Sequence, residues 1–240
     1  MIRTRTAACL CVLIVCALAH AQEVTVTADV ALVNGTKTTK PRGSANVVLW
    51  LTPVDSAALP SFPTTSRTPL RLVQKNKSFE PHVLVVPVGS VVEFPNHDPF
   101  FHNVFSLFEG KRFDLGLYEA GSTRNVVFDK PGVSYIFCNI HSEMSAVVIA
   151  VSSPYYAISD QRGRVTIPNV PPGRYTLRIW YEEAVPEELN RLTREVTISE
   201  AASSLGAMRL PATDVPPPHQ NLYGHDYPPP LPDSPSYERH

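Results

Sequence analysis

Cys138, His141 and Met144 carry side chains that can ligate a metal, and they lie in the segment CNIHSEM at the spacing C-x-x-H-x-x-M. A short loop between two strands can turn all three side chains toward one point, but it cannot enclose an ion alone. His102, in the segment FFHNV, follows soon after a predicted strand that ends at Phe94 and can lie at the same end of a sandwich. The sequence therefore predicts a metal site formed by His102, Cys138, His141 and Met144.

This set of ligands favours copper. Two imidazoles, one thiolate and a weak axial thioether are the donors of blue-copper electron-transfer sites. Zinc sites more often recruit further thiolates or a carboxylate in place of methionine. Because a trigonal arrangement of two histidines and one cysteine is acceptable to both copper oxidation states, little has to move when an electron does. We therefore expect one copper ion at this site.

Residues 1–21 have the pattern of a cleaved signal peptide. Arg3 and Arg5 give a positive start, residues 7–19 form a short apolar run, and AHA at 19–21 offers small residues for cleavage. We predict export, to the periplasm or beyond, and no membrane span after cleavage. Without the two arginines the net charge is 19 − 22 = −3, which gives no support for nucleic acid or an anionic membrane surface as partner.

Each candidate ligand also has an ordinary explanation, since single cysteines and methionines usually pack in cores and single histidines are usually exposed. Cleavage of the signal peptide, however, leaves Cys138 as the only cysteine of four. A single cysteine cannot form an internal disulfide in an oxidising compartment. Its place three residues before His141 and six before Met144 therefore favours metal binding.

The remaining histidines are weaker candidates. His97, in the segment NHD, competes with His102 for the first ligand position, and its ordinary explanation is an exposed loop histidine hydrogen-bonded to Asp98. His82 precedes a strand and is expected at the surface. Stray metal could bind three histidines near the C-terminus, which are His219, His225 and His240.

Alternating apolar residues and frequent turn residues predict an all-β chain with a β-sandwich followed by a second β unit. Hydrophobic residues make up 43% of the chain, enough for packed cores, and 24 prolines indicate many turns. Around the turn at 171–173, residues 164–167 and 174–181 are predicted to pair as a hairpin, and residues 186–192 to form one or two helical turns. The predicted units are N-terminal strands (22–52), a Pro/Ser/Thr-rich linker (53–70), a β-sandwich (71–151), a second β unit (152–210), which the resemblance described below identifies as a small sandwich, and a Pro-rich disordered tail (211–240).

The segments VGSVVEFPN at 88–96, HNV at 102–104 and PGVSY at 131–135 resemble motifs of cupredoxins of the plastocyanin/amicyanin type. The short C-x-x-H-x-x-M loop is most similar to that of amicyanin. This resemblance covers residues 74–151 and implies a Greek-key β-sandwich with one mononuclear type 1 copper site. It implies His102, Cys138 and His141 as strong ligands and Met144 as the weak axial ligand.

The same resemblance implies a supporting role for Asn103, which would hydrogen-bond near the thiolate and tie the two ligand segments together. Residues 106–123 depart from the family pattern. The segments DQRGRVTI at 160–167 and VPPGRYTL at 170–177 resemble the carboxypeptidase-regulatory-like, transthyretin-like β-sandwich. Our hypothesis is that strands at 24–33 and 46–52 complete that sandwich, with the cupredoxin inserted between its halves.

The function that this resemblance implies is the transfer of single electrons between redox protein partners, which the sequence does not identify. Phe100, Phe101 and Ile140 would surround His141 in an apolar patch where such a partner docks. Two alternatives stay open, namely a periplasmic copper-binding or copper-delivery protein and a structural β-module with a vestigial copper site. We do not expect an enzyme, because the sequence has no H-x-H motif for further copper centres, no second cupredoxin repeat and no hydrolytic triad pattern.

Overall fold

The computed structural model describes residues 22–33, 44–55, 69–107, 110–211 and 219–227. The predicted signal peptide (1–21) and most of the predicted linker (53–70) lie outside these residues. The described chain forms strands and one short helix, and the prediction of an all-β sandwich fold is confirmed. No helix in the described part of the chain is long and apolar enough to cross a membrane.

The strands and the helix follow one another along the chain as β1 (Val24–Val33), β2 (Val48–Pro53), β3 (Leu70–Arg71), β4 (Val73–Lys75), β5 (Ser78–Glu80), β6 (Val83–Pro87), β7 (Ser90–Pro95), β8 (His102–Ser106), β9 (Phe113–Tyr118), β10 (Thr123–Phe128), β11 (Gly132–Cys138), β12 (Ser145–Val151), β13 (Tyr156–Ile158), β14 (Arg164–Val170), β15 (Gly173–Trp180), α1 (Pro186–Leu192), β16 (Arg194–Ile198) and β17 (Ser204–Pro211).

One sandwich is built from strands that precede and follow the inserted residues 70–151, and we call it the accessory sandwich. One of its sheets has the strand order β14-β1-β17, and the other has the order β13-β2-β15-β16. Residues of β1 alternate between the core and solvent, with Val26, Ala28 and Val30 buried, as expected for a strand with one face on a core. The structure thus places the strands at 24–33 and 48–53 in this sandwich. Residues 70–151 are inserted between β2 and β13.

The predicted hairpin between residues 164–167 and 174–181 is wrong. β14 pairs with β1, and β15 pairs with β2 and β16, so the two consecutive strands lie in opposite sheets. Pro171 and Pro172 connect them without backbone N–H groups to pair across a hairpin. Apolar residues of both strands, such as Ile167 and Leu177, reach the same core from its two sides. The alternation of apolar and polar residues in these two strands is compatible with a hairpin and with two opposite sheets.

The inserted sandwich consists of a five-stranded sheet in the order β6-β12-β11-β8-β9 and a three-stranded sheet in the order β10-β7-β3. Its core includes Phe94, Phe128 and Ile136, together with Cys138 and Met144. Strand β11 pairs with β12 along its length and with β8 at its end, where Cys138 lies opposite Val104. This pairing brings the end of β11 to the start of β8, which is where two of the predicted ligands lie.

The two sandwiches pack against each other through an apolar layer that we call the seam. Strand β12 is buried on both faces, since Val148 and Ala150 enter the inner core while Val147 and Ile149 enter the seam. Across the seam lie residues of the accessory sandwich, among them Trp180. Strands covered on both faces have nearly continuous apolar sequences, which explains the run SAVVIAV in β12.

Candidate metal centre

Three predicted ligands converge in the structure. One donor atom from each of His102, Cys138 and His141 lies within 4.8 Å of the other two. The Cys138 Sγ atom is 3.6 Å from Nδ1 of His102 and 3.7 Å from Nδ1 of His141. Metal bonds of about 2.0 Å to nitrogen and about 2.3 Å to sulfur, at angles of about 110–120°, separate the two donors by about 3.5–3.7 Å. The donors are therefore at the spacing that a single ion requires.

Neighbouring strands fix two of these side chains. His102 is the first residue of β8 and Cys138 the last residue of β11, and both are fully buried. The Asn139 N–H donates to the Asn103 carbonyl oxygen at 2.8 Å, which continues the link between the two strands into the ligand loop. The two donors thus depend on main-chain hydrogen bonds rather than on flexible side-chain contacts.

A compact loop carries the other two candidates. The Met144 N–H donates to the carbonyl oxygen of His141 at 3.1 Å, and the Cys138 N–H donates to that of Met144 at 3.3 Å. Met144 is fully buried in the same core cluster as Cys138. The loop therefore turns back on itself, so that residues 138, 141 and 144 lie at one end of the sandwich.

Asp98 belongs to the site, although the sequence suggested it only as a hydrogen-bond partner of His97. Its Oδ2 atom lies 3.0 Å from Nε2 of His102, and its carboxylate also accepts the N–H groups of Asn76 at 2.6 Å and Lys77 at 3.0 Å. Asp98 is buried, whereas His97 is exposed. The carboxylate is therefore a partner of the ligand His102, and His97 lies outside the donor cluster. A carboxylate four residues before a candidate ligand was the available signal.

The electrostatics of the site keep both histidines in the form that binds metals. Burial lowers the pKa of His102 below its ordinary value, although Asp98 opposes this effect. Burial, assisted by the neighbouring His102, also lowers the pKa of His141. Burial alone would raise the pKa of Asp98, but hydrogen bonds from Lys77, His102 and Asn76 outweigh it and lower that pKa. At neutral pH the site therefore presents two neutral imidazoles and an ionised carboxylate.

Asn103 ties the ligand segments together differently from the expectation. Its side-chain Nδ2 donates to Oδ1 of Asp114 at 2.6 Å, away from the ligand loop. The link to the loop is made by its backbone carbonyl, which accepts the Asn139 N–H. The side chain turns to Asp114 because β8 pairs with β9 next to it. A substitution of Asn103 would therefore remove a hydrogen bond to β9, whereas its backbone link to the ligand loop would remain.

The predicted patch residues divide into two kinds. The Phe100 ring is partly buried, with its centroid 5.3 Å from the ring centroids of both His102 and His141. Phe101 and Ile140 are 52% and 47% exposed. One phenylalanine thus packs into the site, and the other lies on the surface.

Part of the predicted disordered tail contacts the ligand loop. The His219 ring stacks on Phe137 at 4.1 Å between centroids, and the Tyr227 hydroxyl donates to the Cys138 carbonyl oxygen at 2.9 Å. The Leu222 N–H donates to Oδ1 of Asn139 at 2.9 Å. Residues 219–227 therefore depart from the prediction, because a few aromatic and polar groups among the prolines find partners. The rest of the tail after 211 lies outside the described residues.

The other histidines that the structure describes are not in the donor cluster. The two ring nitrogens of His82 lie 3.1 Å from the Ser145 carbonyl oxygen and 2.5 Å from Oε2 of Glu182. Glu182 belongs to the accessory sandwich, so His82 links the two sandwiches. His225 is exposed, and His240 lies outside the described residues.

Comparisons with known proteins match separate parts of the chain. The family described as polysaccharide lyase family 4, domain II, matches residues 148–204, most of which belong to the accessory sandwich. No curated protein matches the sequence. The inserted sandwich is cupredoxin-like and holds a His-Cys-His cluster, in agreement with the family resemblance of its motifs.

Several solved structures are similar to part of this chain. The copper-containing nitrite reductase of Thermus scotoductus SA-01 is 24% identical over 39% of this chain, with a TM-score of 0.35, and this chain spans only 27% of it. A purple cupredoxin from Nitrosopumilus maritimus is 23% identical over 34% of this chain and 99% of its own, with a TM-score of 0.31. Reduced P94F amicyanin is 20% identical over 39% of this chain and 97% of its own, with a TM-score of 0.33.

Proposed function

We propose that this chain is a copper protein that carries single electrons between protein partners. Its ligands are His102, Cys138 and His141, with Met144 as a weak axial fourth. The observation that supports this proposal is the convergence of two imidazole nitrogens and one thiol sulfur at 3.6 and 3.7 Å. This donor set is typical of blue-copper electron-transfer sites, and copper bound there would exchange one electron at a time.

The way the ligands are held favours electron transfer over metal delivery. His102 and Cys138 lie fully buried on neighbouring strands, and Met144 is fully buried in the core. Such ligands cannot move far between oxidation states, which keeps reorganisation small. A delivery site must instead open its ligands to a receiving protein, and only the partly buried His141 faces the surface here.

The surface around His141 supplies a place for a redox protein to dock. Phe101 follows Phe100, whose ring packs near the His141 ring, and Ile140 precedes His141 in the chain; both are exposed. Exposed apolar residues are typical of interaction sites. We propose that a redox protein docks there and exchanges the electron through the His141 ring, that the chain is exported, and that it catalyses no reaction of its own.

The decisive experiment is a titration of the purified chain with Cu(II), followed by its visible spectrum. An intense thiolate-to-copper band that bleaches reversibly on reduction would support the carrier. Cys138→Ser and His102→Ala should abolish the band, and His97→Ala, which changes an exposed histidine of the same loop, should preserve it. A colourless protein that binds Cu(I) and passes it to a chelator would indicate delivery. A band that survives in Cys138→Ser would refute the ligand assignment.

A further inference from the structure

We infer that Asp98 is a positioning residue for the copper site: it holds His102 in the tautomer that presents Nδ1 to the metal, and its charge favours the oxidised ion. This inference rests on the proposed function, because it assigns a residue to the same site. It begins from the 3.0 Å contact between Oδ2 of Asp98 and Nε2 of His102. Both side chains are almost completely buried.

The carboxylate is itself held in place before any metal binds. Oδ1 accepts the Asn76 N–H, and Oδ2 accepts the Lys77 N–H as well as the His102 ring. The Asp98 N–H donates to Oδ1 of Asn96 at 3.0 Å, and the Asn96 side chain donates in turn to the Phe100 carbonyl oxygen at 2.8 Å. A carboxylate with three donors and so little freedom is a fixed acceptor.

A fixed acceptor determines which nitrogen of His102 carries the proton. A neutral imidazole has one N–H and one lone pair, and an ionised carboxylate can only accept. The proton therefore belongs on Nε2, which leaves the lone pair on Nδ1, 3.6 Å from Sγ of Cys138. Without Asp98 the ring could adopt the other tautomer, which points an N–H at the metal position.

The charge of Asp98 adds a second effect. The Cys138 thiolate and the Asp98 carboxylate place two negative charges near a metal in a site from which water is largely excluded. A buried negative charge stabilises a doubly charged ion more than a singly charged one, and a carboxylate behind a ligating imidazole also makes that imidazole a stronger donor. Asp98 therefore favours Cu(II) over Cu(I).

The test compares Asp98→Asn with the unmodified chain. We expect Asp98→Asn to bind Cu(II) about 10–100-fold less tightly, with a smaller change for Cu(I). The reduction potential should then rise by about 59 mV for each tenfold change in the ratio of the two affinities. Glu143→Gln is the matched control, because it removes a carboxylate of the ligand loop that is exposed to solvent, and we expect a change of less than about twofold.

A measurement on the copper-free chain separates this inference from the proposed function. Nitrogen NMR should find the His102 proton on Nε2, protected from exchange, and Asp98→Ala should lose that protection. A proton on Nδ1 in the unmodified chain would overturn the inference, whether or not copper binds and even if the variants fail to fold. The inference would also be overturned if Asp98→Asn and Glu143→Gln changed the reduction potential and the Cu(II) affinity by equal amounts. Failure of the unmodified chain to bind copper would refute the proposed function alone.

Discussion

Trp180→Ala should remove much of the stability that comes from packing the two sandwiches together. Trp180 is the last residue of β15, is only 5% exposed, and lies in the seam with Val48 and Ile149. Trp50, the second of the two tryptophans in the chain, packs against the same cluster. Both tryptophans therefore report on the seam, and the variant keeps one of them as a probe.

The expected loss is large compared with the stability of a domain. Truncating a buried tryptophan or phenylalanine to alanine typically costs about 3–5 kcal/mol, against a total of about 5–15 kcal/mol. Because each ~1.4 kcal/mol is a factor of ten, the folding equilibrium of Trp180→Ala should fall by about two to four powers of ten. Trp180→Phe, which keeps a ring in the seam, should lose less.

Urea unfolding followed by tryptophan fluorescence and by circular dichroism measures this effect. In the unmodified chain both signals should change together, because the seam joins the sandwiches into one cooperative unit. In Trp180→Ala the midpoint should fall, and the Trp50 signal should change at lower urea than the circular dichroism. A free energy of unfolding within about 0.5 kcal/mol of the original value, as for an ordinary surface substitution, would refute the packing that we assign to Trp180.

Three further predictions concern separate parts of the chain. Met144→Gln should keep the copper band and lower the reduction potential, measured by voltammetry, because an amide oxygen favours Cu(II) more than a thioether does; an unchanged potential would argue against an axial Met144. Glu182 raises the pKa of His82 above 6.5, so their ion pair stabilises the fold below that pH and loses its effect as pH rises through the raised value. The effect should be at most about 1 kcal/mol, because the His82 side chain is 40% exposed, and a pH series of urea midpoints should show it in the original chain but not in Glu182→Gln. Gly163→Ala should destabilise the fold more than Gly206→Ala in thermal unfolding, since both have positive φ but only a Cβ at 163 would meet a backbone carbonyl of β1 at 2.0 Å; equal losses would contradict that close contact.

The local parts of the site could be predicted from the sequence because residues a few positions apart in one loop must lie close together in space. Cys138, His141 and Met144 share one loop, so that the spacing alone brings them to one end of a sandwich. His102 needed only the further knowledge that its strand runs beside the one that ends at Cys138, which the family resemblance supplied. The alternation of buried and exposed residues in β1 was visible for the same reason, since it depends on neighbours in the chain.

Features that depend on distant contacts were not predictable in this way. Asp98 was paired with its neighbour His97, because nothing in the sequence shows that the loop turns its carboxylate inward to His102. The strand pattern of 164–167 and 174–181 is the same in a hairpin as in two opposed sheets. Tyr227 lies in a Pro-rich tail, whose composition gives no sign that its hydroxyl reaches the carbonyl oxygen of Cys138.

The arrangement of the layers gives the accessory sandwich a part in holding the metal centre. Strand β12 begins directly after Met144, and its Val147 and Ile149 are buried in the seam with residues of the accessory sandwich. His82 strengthens the same junction, since it contacts both the Ser145 carbonyl oxygen and Glu182 of the accessory sandwich. A five-stranded sheet with one uncovered apolar face would be free to flex where the ligand loop joins it. The accessory sandwich therefore supports the ligand loop through β12, and the rigidity that the proposed electron transfer requires would be shared between the two sandwiches.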